Sequence, residues 1–210
     1  FPLIGLFSIC LGSSVVIADM NPTKPASLSH KKIWKNMEEH GCTHMFASPM
    51  VLRKISAYAL SQGKNLSHMK RIVSAGAPVP VELLRNMKII LPQKAEIHTP
   101  YGATEALPVT DITATDILEL DQSQILKEGV CIGNALTDMI VKVIEISELP
   151  IPNWSEVKEL PNNQIGEITV SGPVVTESYL NNEDANSKSK IVSPPSTIFH
   201  RMGDLGRIDE

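Results

Sequence analysis

Helix-like and strand-like patterns alternate along the first half of the chain. Short apolar runs predict buried strands at residues 14–18, 43–46, 71–74 and 95–100. Apolar residues recur at helical spacing between them and predict helices at residues 31–39, 49–63 and 80–91. Strands that alternate with helices in this way are typical of a mostly parallel sheet covered by helices.

The uncharged stretch at residues 1–18 resembles a signal peptide or a membrane span in its composition. It has no basic residue at its start, contains Pro2, Gly5 and Gly12, and barely reaches the length that spans a bilayer. We therefore expect a buried helix at residues 3–11, a break at Gly12 and a core strand after it, and no transmembrane segment.

The pattern changes after about residue 118. A helical stretch is predicted at residues 118–127, and residues 139–146 and 165–170 then alternate like half-buried strands. The polar residues 181–197 are expected to be mobile. The fold class predicted is α/β, with an α/β subdomain at residues 1–118 followed by a small antiparallel sheet or barrel at residues 119–210.

Composition excludes some function classes. The chain has 210 residues, of which 42% are hydrophobic and 20% are charged, as in a globular protein. A net charge of −4 with scattered charges gives no reason to expect nucleic acid or an anionic membrane as a partner. Three widely spaced cysteines favour reduced thiols in a cytoplasmic protein over disulfides or a zinc site.

Candidate chemistry begins with Tyr101-Gly102-Ala103-Thr104-Glu105, which follows a predicted strand. A tyrosine ring offers a stacking face, and a glycine admits close approach. The hydroxyl of Thr104 suits a phosphate oxygen, and the carboxylate of Glu105 is a hard ligand for Mg²⁺. The alternative is a surface turn in which Thr104 caps the next segment and Tyr101 covers the edge of a strand.

Three further motifs accompany this pentapeptide in the chain. They are Ser74-Ala75-Gly76-Ala77-Pro78, Gly166-Glu167-Ile168-Thr169-Val170-Ser171-Gly172 and His200-Arg201-Met202-Gly203-Asp204. In this order and spacing the chain resembles the adenylate-forming (AMP-binding) superfamily, and most of all the bacterial fatty-acid-CoA ligases and olefin β-lactone synthetases. The resemblance extends over essentially all 210 residues, and it implies a β-barrel subdomain in the second half.

The resemblance implies an ATP-dependent, AMP-forming enzyme that adenylates a hydrophobic carboxylic acid, with ATP and Mg²⁺ as cofactors and CoA as an additional candidate substrate. It assigns phosphate binding to Thr104, the metal to Glu105 and adenine to Tyr101 with Gly102. It also implies that Asp204 bonds both ribose hydroxyls, although a solvated turn is the alternative for this aspartate.

The same resemblance implies that a loop of small residues lines the adenine and acyl carboxylate sites; these residues are Ala75, Gly76, Ala77 and Pro78. Small side chains allow a backbone to approach a flat base, but such residues are common in turns, and the loop by itself favours a plain strand-to-helix turn. We expect Gly166 and Glu167 to hold a strand in place rather than to touch a ligand.

Several departures from the family pattern bear on function. His200 replaces the usual tyrosine, Met202 replaces the usual threonine, and Gly5 stands where many relatives have an aromatic residue or a histidine. The family's phosphate loop and C-terminal catalytic lysine do not occur in these 210 residues. We therefore expect the middle of a larger enzyme, inactive by itself, without the N- and C-terminal parts of the parent chain.

Three functions remain open from the sequence. The first is an acid–thiol ligase of the fatty-acid-CoA type. The second is a β-lactone synthetase that acts on a 3-hydroxy fatty acid, and the third is a non-catalytic nucleotide-binding module. Retention of Thr104, Glu105 and Asp204 together favours an enzyme over the module.

Overall fold

The structure is a computed structural model, and it describes residues 2–21, 24, 27–120 and 129–209. The chain forms two compact units that interleave in sequence. The first unit comprises residues 1–99 and 112–131, and the second comprises residues 100–111 and 132–210. The predicted division is instead a single boundary at residue 118, and these domain limits stay a prediction.

The helices and strands are numbered separately along the chain. The helices are α1 (Pro2–Cys10), α2 (His30–Glu39), α3 (Pro49–Gln62), α4 (Val81–Ile90), α5 (Ala114–Glu119) and α6 (Glu183–Ser189), with a 3₁₀ turn at Trp154–Glu156. The strands are β1 (His44–Phe46), β2 (Arg71–Val73), β3 (Glu96–His98), β4 (Tyr101–Ala103), β5 (Ala106–Asp111), β6 (Asn134–Ala135), β7 (Ile140–Ile144), β8 (Gly166–Ser171), β9 (Lys190–Ser193) and β10 (Thr197–Gly206).

The first unit is built on a three-stranded parallel sheet. Its order is β1-β2-β3, with Met45 opposite Ile72 and Ile72 opposite Ile97. The apolar faces of α2, α3 and α4 join the same buried cluster as these strands, with Trp34 and Leu84 among its members. The predicted α/β arrangement with a parallel sheet is confirmed.

Helix ends follow from local chemistry. The side chain of Ser29 accepts a hydrogen bond from the backbone of Lys32 and caps α2. Pro49 occupies the first turn of α3, and Gly63 ends that helix with a left-handed φ of 60°. The three predicted helices at residues 31–39, 49–63 and 80–91 are therefore confirmed within two residues at each end.

The beginning of the chain differs from the prediction. The helix α1 forms, but Leu6, Phe7 and Ile9 are 56–59% exposed rather than buried. Residues 14–18 form no strand, and Ile17 is 86% exposed. The predicted core strand is wrong because its run pairs with none of the strands in the parallel sheet, and an unpaired strand has no ladder of hydrogen bonds.

The second unit contains two antiparallel sheets. One has four strands in the order β7-β8-β10-β9, and the other has three in the order β4-β5-β6. The strands predicted at residues 139–146 and 165–170 correspond to β7 and β8, whose register places Val143 opposite Ile168. Within the residues that the structure describes, neither sheet closes into a barrel, so the antiparallel character is confirmed and the barrel stays a prediction.

The polar residues 181–197 are more regular than their composition suggests. They form the helix α6 and the strand β9, which pairs with β10 as an antiparallel hairpin. Asn182 caps the helix by accepting a hydrogen bond from Ala185, and Glu183 and Asp184 lie in its first turn. The expectation of a mobile segment missed this capping signal.

Most of the helix predicted at residues 118–127 lies outside the described residues.

Across the described ranges, none of the helices has the length and apolar character needed to cross a bilayer.

Candidate functional site

Strands β4 and β5 form a hairpin that carries the Tyr101–Glu105 motif. Their register pairs Tyr101 with Thr110 and Ala103 with Ala106, so Thr104 and Glu105 form the turn between the strands. Thr104 is exposed, whereas Glu105 is half-buried. The hairpin therefore presents a hydroxyl and a carboxylate side by side at its tip.

The glycine of the motif has a structural reason within the hairpin itself. A Cβ atom on Gly102 would lie 2.5 Å from the carbonyl oxygen of Ala106 and 2.9 Å from a methyl group of Leu107. Any larger residue would force the two strands apart. The predicted contact between Gly102 and a nucleotide stays a prediction beside this packing role.

A hydrogen bond joins two motifs that lie 103 positions apart. The hydroxyl of Tyr101 donates to Oδ2 of Asp204 at 2.6 Å. Asp204 lies where the pairing of β10 with β8 shifts register between Arg201 and Leu205. Gly203 precedes it with a φ of +72°, a conformation that L side chains rarely adopt. This irregularity redirects the strand and leaves Asp204 exposed.

Burial raises the pKa of Tyr101, and the bond to Asp204 and its negative charge raise it further. Tyr101 therefore stays a neutral hydrogen-bond donor at physiological pH. A carboxylate has two oxygens and about four lone-pair sites. After accepting one proton from Tyr101, Asp204 retains the capacity to accept hydroxyl groups of a ligand.

Glu105 is held at both its backbone and its side chain. Its carbonyl oxygen accepts the Thr176 amide at 2.8 Å, and its Oε1 accepts the Tyr179 hydroxyl at 2.8 Å. The bond from Tyr179 is the largest cause that lowers the pKa of Glu105, and the charges of His200 and Lys190 add to it. Glu105 is therefore ionised at neutral pH and suited to a cation.

Two buried basic residues, Lys190 and His200, act electrostatically on the Glu105 carboxylate. Lys190 is 7% exposed, and its ammonium donates to the carbonyl oxygen of Thr176 at 2.5 Å and to its hydroxyl at 3.0 Å. His200 is 3% exposed, and its Nδ1 lies 3.1 Å from the carbonyl oxygen of Ser189. Burial is the main cause that lowers the pKa of both Lys190 and His200.

Sequence reasoning did not assign Tyr179 or Lys190 to the site. Tyr179 lies 74 residues after Glu105, in a segment with no apolar periodicity that would fix its position. The sequence offered one signal, which is an aromatic residue within a largely polar stretch. A tyrosine in such a stretch indicates a packing or hydrogen-bonding role. The contact between Tyr179 and Glu105 depends on tertiary structure, and the spacing of the two residues along the chain does not indicate it.

The loop of small residues belongs to the first unit, between β2 and α4. Ala75 is half-buried, Gly76, Ala77 and Pro78 are exposed, and the chain bends at Gly76 and Ala77. Just before the loop, the buried hydroxyl of Ser74 has no hydrogen-bond partner among the described residues. The geometry is that of a strand-to-helix turn, and ligand contact by these four residues stays a prediction.

Glu167 and Arg201 form a buried ion pair that joins two of the motifs. The guanidinium of Arg201 lies 2.6 Å from Oε2 of Glu167, and both side chains are 9% exposed. The same guanidinium donates to the carbonyl oxygens of Ser147, Leu149 and Lys188. A Cβ atom on Gly166 would lie 2.2 Å from the carbonyl oxygen of Ile144. These contacts fit the expected strand-holding role of Gly166 and Glu167.

The side chains of the second unit fit a magnesium nucleotide in their chemistry. Magnesium in nucleotide sites is usually held by one or two carboxylates, with substrate phosphates and water as the other ligands. Glu105 supplies one ionised carboxylate, and the neighbouring Thr104 offers an exposed hydroxyl. Within the part of the chain that the structure describes, no three His, Cys, Asp or Glu side chains form a metal cluster.

Comparison with known proteins gives a consistent result. Residues 3–180 match the family of AMP-binding enzymes. The chain is 37% identical over 213 aligned residues to an olefin β-lactone synthetase of Xanthomonas campestris pv. campestris, and it is 29% identical over 180 residues to 4-coumarate–CoA ligase 5 of Oryza sativa subsp. japonica. These alignments cover 100% and 85% of this chain, but only 38% and 30% of the relatives.

The fold has a counterpart among solved structures. O-succinylbenzoate coenzyme A synthetase from Bacillus subtilis, in complex with ATP and a magnesium ion, matches with a TM-score of 0.71 and 21% identity. The match covers 99% of this chain and 37% of that protein. With the family match over residues 3–180, this agreement in fold supports one assignment. The chain belongs to the AMP-binding family of adenylate-forming enzymes.

Proposed function

We propose that the full-length protein, meaning the complete product of the gene that encodes this sequence, activates a hydrophobic carboxylic acid by adenylation. The observation that carries the proposal is the 2.6 Å hydrogen bond between Tyr101 and Asp204. It brings together two motifs whose predicted partners, adenine and ribose, belong to one nucleoside. A shared ligand gives a physical reason for the two motifs to be adjacent.

In this proposal Asp204 accepts the ribose hydroxyls, and the ring of Tyr101 lies against adenine. Thr104 donates to a phosphate oxygen, and Glu105 binds Mg²⁺. The ion, when bound, lowers the electrostatic cost of bringing two anions together. The family resemblance also assigns ligand contact to the loop of Ala75, Gly76, Ala77 and Pro78 in the first unit, and we keep that assignment as part of the proposal.

The reaction joins an acyl carboxylate to ATP. A carboxylate oxygen attacks the α-phosphorus, the bond to the bridging oxygen breaks, and pyrophosphate leaves with the electron pair. The products are an acyl adenylate and pyrophosphate. The task of the described side chains is to fix the nucleoside and the charges before reaction, because positioning and preorganised electrostatics account for most of such catalysis.

The second step distinguishes two candidate products. The 37% identical relative is named as an olefin β-lactone synthetase, which supports a β-lactone as the product of this protein. In that step the 3-hydroxyl oxygen of the acyl adenylate attacks its own carbonyl carbon, AMP leaves, and the hydroxyl proton is released. The alternative is a CoA thioester, supported by the 29% identity to a 4-coumarate–CoA ligase.

A non-catalytic nucleotide-binding module remains the contrasting hypothesis. Such a module would bind Mg-ATP without releasing pyrophosphate in response to an acid. The presence of Thr104, Glu105 and Asp204 together supports an enzyme instead, because a module without chemistry need not keep all three residue types. We place the enzyme in the cytoplasm as part of the proposal, in line with the three free cysteines, Cys10, Cys42 and Cys131.

The test of this proposal is product analysis with the purified full-length protein. Incubation with ATP, Mg²⁺ and either a fatty acid or a 3-hydroxy fatty acid, with and without CoA, is followed by mass spectrometry. We expect a β-lactone from the 3-hydroxy acid without CoA. A CoA thioester from both acids would establish the alternative. Binding of ATP without AMP formation from any acid would establish the non-catalytic module.

A further inference from the structure

We propose that Tyr179, itself held by Asn186, is a positioning residue for Glu105 and orients one carboxylate oxygen toward the metal of the nucleotide site. The inference rests on the proposed function, because it requires Glu105 to bind Mg²⁺. It adds two residues that no family motif quoted above contains, and both lie in the segment of polar residues after β8.

Glu105 is fixed by hydrogen bonds from residues that follow β8. The Tyr179 hydroxyl donates to Oε1 at 2.8 Å, and the Thr176 amide donates to the Glu105 carbonyl oxygen at 2.8 Å. Val175 also forms an antiparallel bridge to Ala106 on the other side of the turn. The segment that carries Tyr179 is thus bonded to both the backbone and the side chain of the hairpin tip, which leaves Oε2 as the oxygen to face a cation.

Tyr179 is in turn fixed by a helical residue, Asn186. The side-chain amide of Asn186 makes two bonds to the Tyr179 backbone. Its Oδ1 accepts the Tyr179 amide at 2.6 Å, and its Nδ2 donates to the Tyr179 carbonyl oxygen at 3.1 Å. Asn186 belongs to α6, whose first turn is capped by Asn182. A helical residue therefore anchors a loop residue in a defined orientation.

The aromatic ring of Tyr179 has two close neighbours. The Lys190 ammonium lies 5.5 Å from the centroid of the Tyr179 ring, and the His200 ring meets it edge-on at 6.4 Å. Both neighbours are buried. Lys190 uses its ammonium on Thr176, which is the residue that bonds the Glu105 backbone. The tyrosine is thus confined from more than one side, and its hydroxyl has a restricted range of positions.

The choice of a tyrosine has a chemical reason. A neutral hydroxyl fixes a carboxylate without cancelling its charge, whereas a lysine or arginine in contact would compete with the metal. Burial raises the pKa of Tyr179, and the bond to Glu105 raises it further, so the hydroxyl keeps its proton. Groups that orient a metal ligand from behind typically change metal affinity or activity by about 10–100-fold when they are removed.

The test uses Tyr179→Phe in the full-length protein, with Tyr58→Phe as the matched control. Both variants lose one hydroxyl, but Tyr58 lies in the first unit, where its ring packs near Trp34 and His30. Acid-dependent pyrophosphate exchange is measured against Mg²⁺ concentration at saturating ATP. We expect the half-saturating Mg²⁺ concentration to rise about 10–100-fold for Tyr179→Phe, with a smaller change in the maximal rate. Tyr58→Phe should give the wild-type curve.

Coincident Mg²⁺ curves for the two variants would overturn the inference and leave the proposed function intact. A wild-type protein without acid-dependent exchange would overturn the proposed function, and the inference with it. Thermal unfolding without Mg²⁺ shows whether Tyr179→Phe is folded. If it is not, Asn186→Ala replaces it, and we expect a shift of the same curve in the same direction. An unchanged curve for Asn186→Ala would then overturn the inference.

Discussion

At the scale of single residues, Asp204 has two functions in the proposed nucleotide site. One oxygen accepts the Tyr101 hydroxyl, and the remaining lone pairs are available to ribose. In the proposed function the carboxylate would therefore both hold the aromatic ring and recognise the sugar. Loss of Asp204 should disturb nucleotide binding through both contacts, while the acyl substrate is affected less.

We predict that Asp204→Ala in the full-length protein raises the KM for ATP more than the KM for the acid. Loss of a charge-assisted hydrogen bond should cost about 1.5–3 kcal/mol, which is roughly 10–150-fold. Steady-state kinetics with each substrate varied in turn gives both constants. Asp209→Ala, which removes an exposed partner of Arg207, is the control. Equal KM values for ATP in wild type and Asp204→Ala would mean that Asp204 is only a turn residue.

His200 provides a prediction about pH. Burial lowers its pKa below the ordinary value of 6.5, the charge of Lys190 lowers it further, and Ser189, Glu105 and Glu167 act in the opposite direction. The unfolded chain therefore binds a proton at His200 at pH values where the folded chain does not. The contribution of neutral His200 to stability is complete above pH 6.5 and decreases as the pH falls below it.

The change that tests this is His200→Tyr, which places the usual family residue at this position. Chemical denaturation of the full-length protein at about pH 7.5 and about pH 5.5 gives the loss of unfolding free energy on acidification. We expect acidification to lower the unfolding free energy of wild type more than that of the variant. Tyrosine at position 200 does not titrate between these two pH values, whereas histidine does. Identical losses would show that His200 is not kept neutral by burial.

At the scale of secondary structure, Glu167 on β8 and Arg201 on β10 form an ion pair that joins the two central strands of the four-stranded sheet. Both side chains are 9% exposed, and the guanidinium also bonds three backbone carbonyl oxygens. The pair therefore fixes the strand that leads to Gly203 and Asp204. Removal of one partner would leave the other charge buried without compensation.

We expect Glu167→Gln to lower the free energy of unfolding by about 3–5 kcal/mol. The matched control is Glu145→Gln, which breaks a surface pair with Lys158 whose side chains are 57% and 68% exposed. That change should cost about 0–1 kcal/mol, since exposed pairs are screened by solvent. Denaturant titration measures both. Equal effects of the two substitutions would contradict a stabilising role for the buried pair.

Much of the architecture could be predicted from the sequence, but not all of it. Helices α2, α3 and α4 were predictable because their apolar spacing, caps and proline positions agree with one another. Residues 14–18 were misassigned because an apolar run specifies burial or strand only when a partner strand exists. The helix α6 was missed because it buries almost nothing and depends on its cap.

The candidate site was predictable only where one motif carries several chemical groups. Tyr101, Thr104 and Glu105 lie within five positions, so a shared role can be proposed for them from the sequence. The hydrogen bond of Tyr179 to Glu105, and the effect of the Lys190 charge on Glu105, arise from folding over 74 residues or more. Spacing along the chain contains no information about such contacts, and they emerge only from the three-dimensional structure.

At the scale of the whole molecule, the exposed apolar residues near the beginning of the chain are the most conspicuous surface feature. In the first unit, Leu11 is 84% exposed and Ile17 is 86% exposed, close to the exposed face of α1. Several large apolar side chains exposed within one short segment favour association in water. The chain spans 38% of the length of the olefin β-lactone synthetase that it matches, and the inactivity of the 210 residues alone stays a prediction.

We predict that the isolated 210-residue chain self-associates and that Phe7→Ser with Leu11→Ser reduces this association. The control is Leu180→Ser, which removes an equally exposed leucine, 89% accessible, from the second unit. Sedimentation velocity over a range of concentrations measures the effect. A monomeric wild-type chain, or an equal effect of Leu180→Ser, would show that the surface near α1 does not drive association.

Acid-dependent pyrophosphate exchange shows whether Glu105 serves an ATP-dependent adenylation, as we propose. The full-length protein, its Glu105→Gln variant and the Glu145→Gln control are compared with fatty acids and 3-hydroxy fatty acids. Because the substitution keeps the size of residue 105 but removes the charge that binds Mg²⁺, we expect a rate loss of at least about 100-fold. Wild type and the control should exchange at the same rate. Exchange by Glu105→Gln within a few-fold of wild type would contradict this role of Glu105.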